Sequence, residues 1–135
     1  MLGITDIKTL LKHMQPKLDK TDFVFCTKNT KVLDEEIIKL NPIATFLEEE
    51  GMTIIVEKSK ADNSNLQYEA IFNKITLEIH SSLEAVGLTA AFSAKLTEHN
   101  ISANVIAGYY HDHIFVPKDR AEDAVEALLE LTVWN

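Results

Sequence analysis

Hydrophobic spacing changes period within one stretch of this chain, from Ile75 to Pro117, and that change restricts the folds open to it. Ile75, Leu77 and Ile79 alternate as on the inner face of a strand. Leu88, Ala91, Phe92 and Leu96 then fall on one side of a helix, while Ala90 and Ala94 permit close packing elsewhere on it. Asn104 to Ala107 and Ile114 to Val116 are two short strands flanking the polar, aromatic turn Gly108-Tyr109-Tyr110-His111-Asp112-His113. A strand, a helix and a hairpin in this order predict an α+β domain with an antiparallel sheet and helices on one face.

The remainder gives a second, similar α+β half that opens with a helix instead of a strand. Ile4, Ile7, Leu10, Leu11 and Met14 space an amphipathic opening helix, which Gln15-Pro16 ends because proline disfavours α geometry before it. Asp22 to Thr27, with Phe23, Val24, Phe25 and Cys26 apolar on both faces, predicts a covered central strand. Val32 to Pro42 is polar and is expected to be irregular. Ala44 to Glu48 and Met52 to Glu57 predict a hairpin around Glu49-Glu50-Gly51, with a short helix as the alternative for the first arm; consecutive Glu48, Glu49 and Glu50 point in different directions, as a solvated turn and not a metal cluster. Ser59 to Leu66 is a short helix or a connector. Ser81 with Glu84, and Asp119 with Glu122, have capping-box spacing; Ala121, Ala124, Val125 and Leu128 give a terminal helical face. Val133-Trp134 is expected to close or cover the last sheet edge. Two halves follow, residues 1–67 and 68–135, alike in element order and not in repeated letters.

Bulk properties exclude several functions. The 135 residues suffice for a core without staples, and 13 Lys and Arg against 21 Asp and Glu give a formal charge of -8, which repels nucleic acid in the absence of a basic patch. Lys58-Ser59-Lys60 is the nearest approach to one. Cys26 is the single cysteine, so no internal disulfide forms, and the default for it is a buried strand residue. With neither a basic, apolar leader nor a stretch of about 20 apolar residues, a cytoplasmic protein without membrane contact is expected.

The stretch Ile75 to Ile101, with its strand, Val86-Gly87-Leu88 turn, helix and Asn100-Ile101 exit, resembles the first half of an ACT domain. Asn104 to Leu131, with Ala107-Gly108-Tyr109-Tyr110-His111-Asp112-His113-Ile114-Phe115-Val116-Pro117, is similar to small bacterial ACT-like proteins, as are Pro42 to Glu48 and Glu50 to Thr53. The resemblance implies ferredoxin-like βαββαβ units, duplicated or interlocked in tandem, and a regulatory role with an amino acid bound at an interface. It also places ligand contact in the turn between first strand and first helix, here Glu84, Val86, Gly87 and Leu88. Gly87 would let a ligand approach the backbone, free amides of the first helical turn would receive a carboxylate, and Glu84 would hold an amino group. Asn104 is a further candidate, able to donate and accept.

Tyr109, Tyr110, His111, Asp112 and His113 are site-adjacent candidates. The tyrosines suit a hairpin or a dimer surface. His111 and His113, two apart, share a face on an extended strand and would ligate a metal if His80, His99 or a carboxylate converged on them. Hydrogen bonding to backbone in the turn is the preferred reading, so no metal and no cofactor is expected. No phosphate loop, nucleophile elbow or spaced carboxylate pair is present, which argues against an enzyme. The expected partners are a small ligand and a second copy of the chain, joined through sheet edges or helices. The alternatives are a structural interaction module and, behind it, a His-dependent metal protein.

Overall fold

The computed structural model describes residues 7–79 and 87–133. The elements are α1 (Ile7–Lys12), β1 (Gln15–Lys28), α2 (Glu35–Lys39), β2 (Ala44–Glu48), β3 (Gly51–Glu57), α3 (Lys58–Asn63), β4 (Phe72–Glu78), α4 (Leu88–Glu98), β5 (Asn104–Ala107), β6 (Asp112–Pro117) and α5 (Ala121–Leu129). Single 3-10 turns, Lys118–Arg120 and Glu130–Thr132, flank α5. The chain forms two compact units: a discontinuous one, residues up to Lys20 with Asn73 onward, and an inserted one, Thr21–Phe72. Compactness therefore groups the chain differently from a division at residues 67 and 68.

In the discontinuous unit the strand order is β1-β4-β6-β5. From β4 to α5 the sequence supplies only βαββα, and β1 takes the place beside β4 that the last strand of a βαββαβ unit would fill. Its core joins Ile75 and Leu77 of β4, Ile114 and Val116 of β6, Leu88, Phe92 and Leu96 of α4, and Ala124 and Leu128 of α5; Leu10 and Leu11 of α1 are buried in the same cluster. Burying a Phe or Leu side chain of this kind contributes about 1.5–3 kcal/mol, so the periodicities at Ile75–Ile79 and Leu88–Leu96 carry the unit.

The inserted unit has the order β2-β3-β1, with β3 pairing Phe23–Lys28 of β1 on one side and β2 on the other. Val24, Cys26, Ile37, Leu40, Met52, Ile54, Val56 and Ala61 make its core. Burial raises the pKa of the Cys26 thiol, so it is an inert core residue.

Four features differ from expectation for local reasons. β1 begins at Gln15, not near Asp22, and contains Pro16; its first half is only partly buried, and Lys17 and Asp19 face Glu78 at 3.3 Å and Lys74 at 3.9 Å. A charged, half-exposed strand has no apolar alternation to announce it. Residues 32–42 are not wholly irregular: Asp34 Oδ1 accepts from the Ile37 amide at 3.0 Å and starts α2, a single turn that buries Ile37. The Asp119 and Glu122 pair makes no capping box, because Lys118–Arg120 tighten into a 3-10 turn and no side chain caps α5. The chain reaches Val133 through a second 3-10 turn and not a strand. The Ser81 and Glu84 pair, Ile4 and Trp134 lie outside the described residues.

Helix ends follow a common device. Asn41, Asn65 and Asn100, at φ of 50°, 56° and 57°, turn the chain left-handed after α2, α3 and α4. After α4 the Asn100 amide meets Thr97 O at 2.9 Å and the Ile101 amide meets Leu96 O at 2.9 Å, a Schellman closure that also buries Ile101 against the core. The short Ser59 to Leu66 segment resolves as the helix α3 and closes the same way through Leu66 and Ala61.

The hairpin turn at Glu49-Glu50 ends on Gly51, which pairs with Glu48 at a φ of +151°. A Cβ there would stand 2.7 Å from Lys28 O, so both conformation and space exclude a side chain. Gly51→Ala is expected to lower stability by about 2 kcal/mol and the melting temperature by roughly 7 °C, readable by thermal unfolding; an unchanged melting temperature would remove the steric account of this hairpin.

Candidate functional site

The turn between β4 and α4 is described only at its end. Gly87 stands as N-cap of α4 with φ 93° and ψ -10°, a left-handed backbone that glycine adopts freely. Having no side chain, it cannot cap the helix as Asp34 caps α2, and its carbonyl accepts the first helical bond from the Ala91 amide at 3.0 Å. The first-turn amides of α4 precede any intrahelical partner and face a positive helix end. A Cβ on Gly87 would meet only Ile7 side-chain carbons, at 3.9 Å, so the glycine answers a backbone need and not a lack of room. Leu88 beside it is buried in the core, which leaves its amide and not its side chain for recognition. Glu84 and Val86 lie outside the described residues, as does His80.

Asn104 is exposed at the start of β5, opposite Phe115, and its side-chain amide donates to the Phe115 carbonyl at 3.2 Å. It braces the β5–β6 hairpin. Sequence spacing could not reveal this, because the partner is a main-chain oxygen across the hairpin.

The loop from Gly108 to His111 is closed by the Gly108 amide donating to His111 O at 2.9 Å. Tyr109 and Tyr110 sit at its tip, 82% and 77% exposed, with rings edge to face at 5.1 Å. A Cβ on Gly108 would stand 2.8 Å from His111 O, so the loop requires this glycine. His111 precedes β6 while His113 lies in it, and the two imidazoles have different surroundings. His113 Nδ1 is 2.9 Å from Thr76 Oγ1 of β4; His111 Nδ1 is buried with no hydrogen-bond partner. The expectation that both imidazoles bond turn backbone is thus corrected: it is the His111 carbonyl that closes the turn.

Burial, then the charges of Lys74 and His111, push the His113 pKa below its usual value; burial raises that of Asp112, against the pull of His113 and His111. Among the described residues no three His, Cys, Asp or Glu side chains form a metal-ligating group. His99 instead pairs with Glu130 at 3.1 Å, and Arg120 donates to His99 O at 2.9 Å, tying α4 to α5. No helix among the described residues is long and apolar enough to cross a membrane.

Comparison with known proteins fits this architecture. ACT-domain family models match residues 2–73 and 69–130. A Vibrio cholerae protein of unknown function, described as a possible transport protein, is 53% identical over 93% of this chain and 95% of its own, with a TM-score of 0.85. An Agrobacterium tumefaciens protein superposes at a TM-score of 0.72 with 9% identity, over 88% of this chain and 89% of its own. The ligand-free regulatory subunit of aspartate kinase from Thermus thermophilus does so at 0.61 with 10% identity, over 86% and 95%, a likeness of fold alone. A search of curated proteins finds no match. With two family models covering successive parts of it, the chain belongs to the ACT-domain family, as a tandem ACT protein.

Proposed function

We propose that the protein is a non-catalytic regulator that binds an amino acid at the turn of residues 84–88, where β4 hands over to α4. The observation that carries this is Gly87: a left-handed residue without a side chain, opening an eleven-residue helix, leaves amides bare at a positive helix end. The ligand carboxylate would sit on the amides of Leu88 and the residues after it, and Glu84 would take the ammonium group. Asn104 shapes the neighbouring hairpin in this reading, and its side-chain oxygen and second N–H are what it would offer a ligand. Tyr109 to His113 serve the hairpin. Regulation requires that the ligand prefer one of two arrangements of the protein. We place the protein in the cytoplasm, in keeping with its lone, buried, unpaired cysteine.

A second reading has its own observation. Phe46 and Leu47, on the edge strand β2, are 71% and 52% exposed, and Ile38 of α2 is exposed as well. Bare edges with apolar side chains pair with other chains, so a homodimer through this edge accompanies the sensor reading or, without a ligand, replaces it.

Thermal unfolding against the twenty amino acids tests the sensor. At a hundredfold excess over Kd the effective ligand should raise the melting temperature by about 10 °C. Gly87→Asn keeps the left-handed backbone and adds a side chain over the amides; it should leave the unliganded melting temperature nearly unchanged and abolish the response. No shift with any amino acid would defeat the reading. For the dimer, light scattering should give twice the chain mass, falling to one chain in Phe46→Glu; a monomeric native protein would dismiss it.

The hairpin role of His113 predicts a pH effect independent of ligand. Because its folded pKa lies below the ordinary value of about 6.5, the unfolded chain takes up the proton first, and stability falls as pH drops below that value. Asp112 acts oppositely, its stabilising contribution being lost as pH rises above the ordinary carboxylate range. Urea unfolding between pH 7 and 5 should show a shallower loss in His113→Asn with its amino-acid response intact; an equal slope in both proteins would refute the assignment.

A further inference from the structure

The helix α1 is an addition to the βαββα order that runs from β4 to α5, and it cannot stand by itself. It has six residues, short of the roughly 12–15 at which an isolated helix becomes even marginally stable in water. Packing within the discontinuous unit therefore keeps it folded. Leu10 and Leu11 are buried in the core of that unit, and the element that α1 packs against is the 3-10 turn Glu130–Thr132. Leu131 of that turn is buried in the same cluster, and Ile7, at the front of α1, packs on it.

α1 and this turn together reach both ends of α4. At the front, the Ile7 side chain is what a Cβ on Gly87 would meet, at 3.9 Å, so Ile7 borders the space before the N-terminal end of the helix. At the back, Glu130 takes Lys95 at 3.4 Å and His99 at 3.1 Å, at the C-terminal end. The helix between them has eleven residues and is about 16 Å long. An element that the βαββα order does not require thus connects one end of α4 to the other.

The hold at the back is a weak one. The Glu130 side chain is 49% exposed, and ion pairs this open to water contribute little to stability. α4 also keeps its other ties without Glu130: Lys95 pairs with Glu98 at 3.0 Å, and Arg120, held by Asp123 at 3.1 Å, donates to His99 O at 2.9 Å. Loss of the Glu130 contacts would loosen the turn and α1 and leave α4 tied to α5. The contact at the front is of the opposite kind, since an apolar side chain beside bare amides offers a carboxylate nothing and keeps water away.

We infer, building on the reading of the Gly87 turn as a ligand site, that α1 is a strap over that end of α4, clasped through Glu130, and that the clasped strap and a ligand exclude one another. In the clasped form Ile7 stands against the first-turn amides; in the released form α1 lifts and those amides open. Affinity is then scaled by the fraction of molecules whose strap is released, and a bound ligand favours release. Anything that draws Glu130 from Lys95 and His99 raises affinity at the far end of the helix.

Amide exchange of the labelled full chain tests this, together with titration by acetate, a bare carboxylate, at constant ionic strength. The His13 and Met14 amides, which bond Leu10 O and Leu11 O at the end of α1, should exchange ahead of those of Leu96 and Leu128. Glu130→Ala should speed His13 and Met14 about fivefold and leave Leu96 and Leu128 unchanged. Acetate should shift the Leu88 to Ala90 amides saturably, bind about threefold more tightly in Glu130→Ala and in Ile7→Ala, and itself speed His13 and Met14. If Glu130→Ala leaves His13 and Met14 unchanged, or if acetate binds all three proteins alike, the strap is overturned and the Gly87 site is untouched. Faster exchange in Glu130→Ala with no acetate shift in any of the three would overturn the Gly87 reading, and the strap's control of it as well.

Discussion

The structure depends on one strand that contributes to both compact units. β1 runs unbroken from Gln15 to Lys28; its first part lies beside β4 in the discontinuous unit and its second pairs with β3 in the inserted one. A βαββαβ unit needs its fourth strand to cover the edge of its first, since a strand left bare exposes a row of unpaired N–H and C=O groups. The sequence from β4 to α5 contains no such strand among the described residues, so the start of the chain provides it. That arrangement explains why the opening segment precedes an ACT-like order instead of beginning one. It also sets the inward faces of β4 and β6 against α4 and α5, and so places the Gly87 turn.

Legibility in sequence followed burial. β4, α4 and α5 were readable because Ile75, Leu77, Phe92, Leu96, Ala124 and Leu128 are fully buried and spaced by one regular period each. β1 before Asp22 was not: Lys17, Asp19 and Lys20 sit on a half-exposed strand, where cross-strand charge pairs replace apolar alternation. α2 was hidden by its brevity, one capped turn with a single buried isoleucine. The capping spacing of Asp119 and Glu122 misled because a 3-10 turn intervened and Glu122 turned to a lysine far away in sequence.

The site residues divide in the same way. Gly87 was legible because a glycine ahead of a strong helical face predicts an unusual backbone, and its φ of 93° has that character. The hydrogen-bond partners of Asn104 and His113, the Phe115 carbonyl and Thr76, were not legible because strand pairing sets them.

Hydrogen exchange along β1 tests the shared strand most directly. If β1 completes the discontinuous unit, the amides of Lys17 to Lys20 that bond β4 exchange only as slowly as the amides of β4 itself, with protection of the same magnitude as that of Val24 and Cys26. Rapid exchange from Gln15 to Lys20, as in a frayed terminus, alongside a protected β4 would contradict the account.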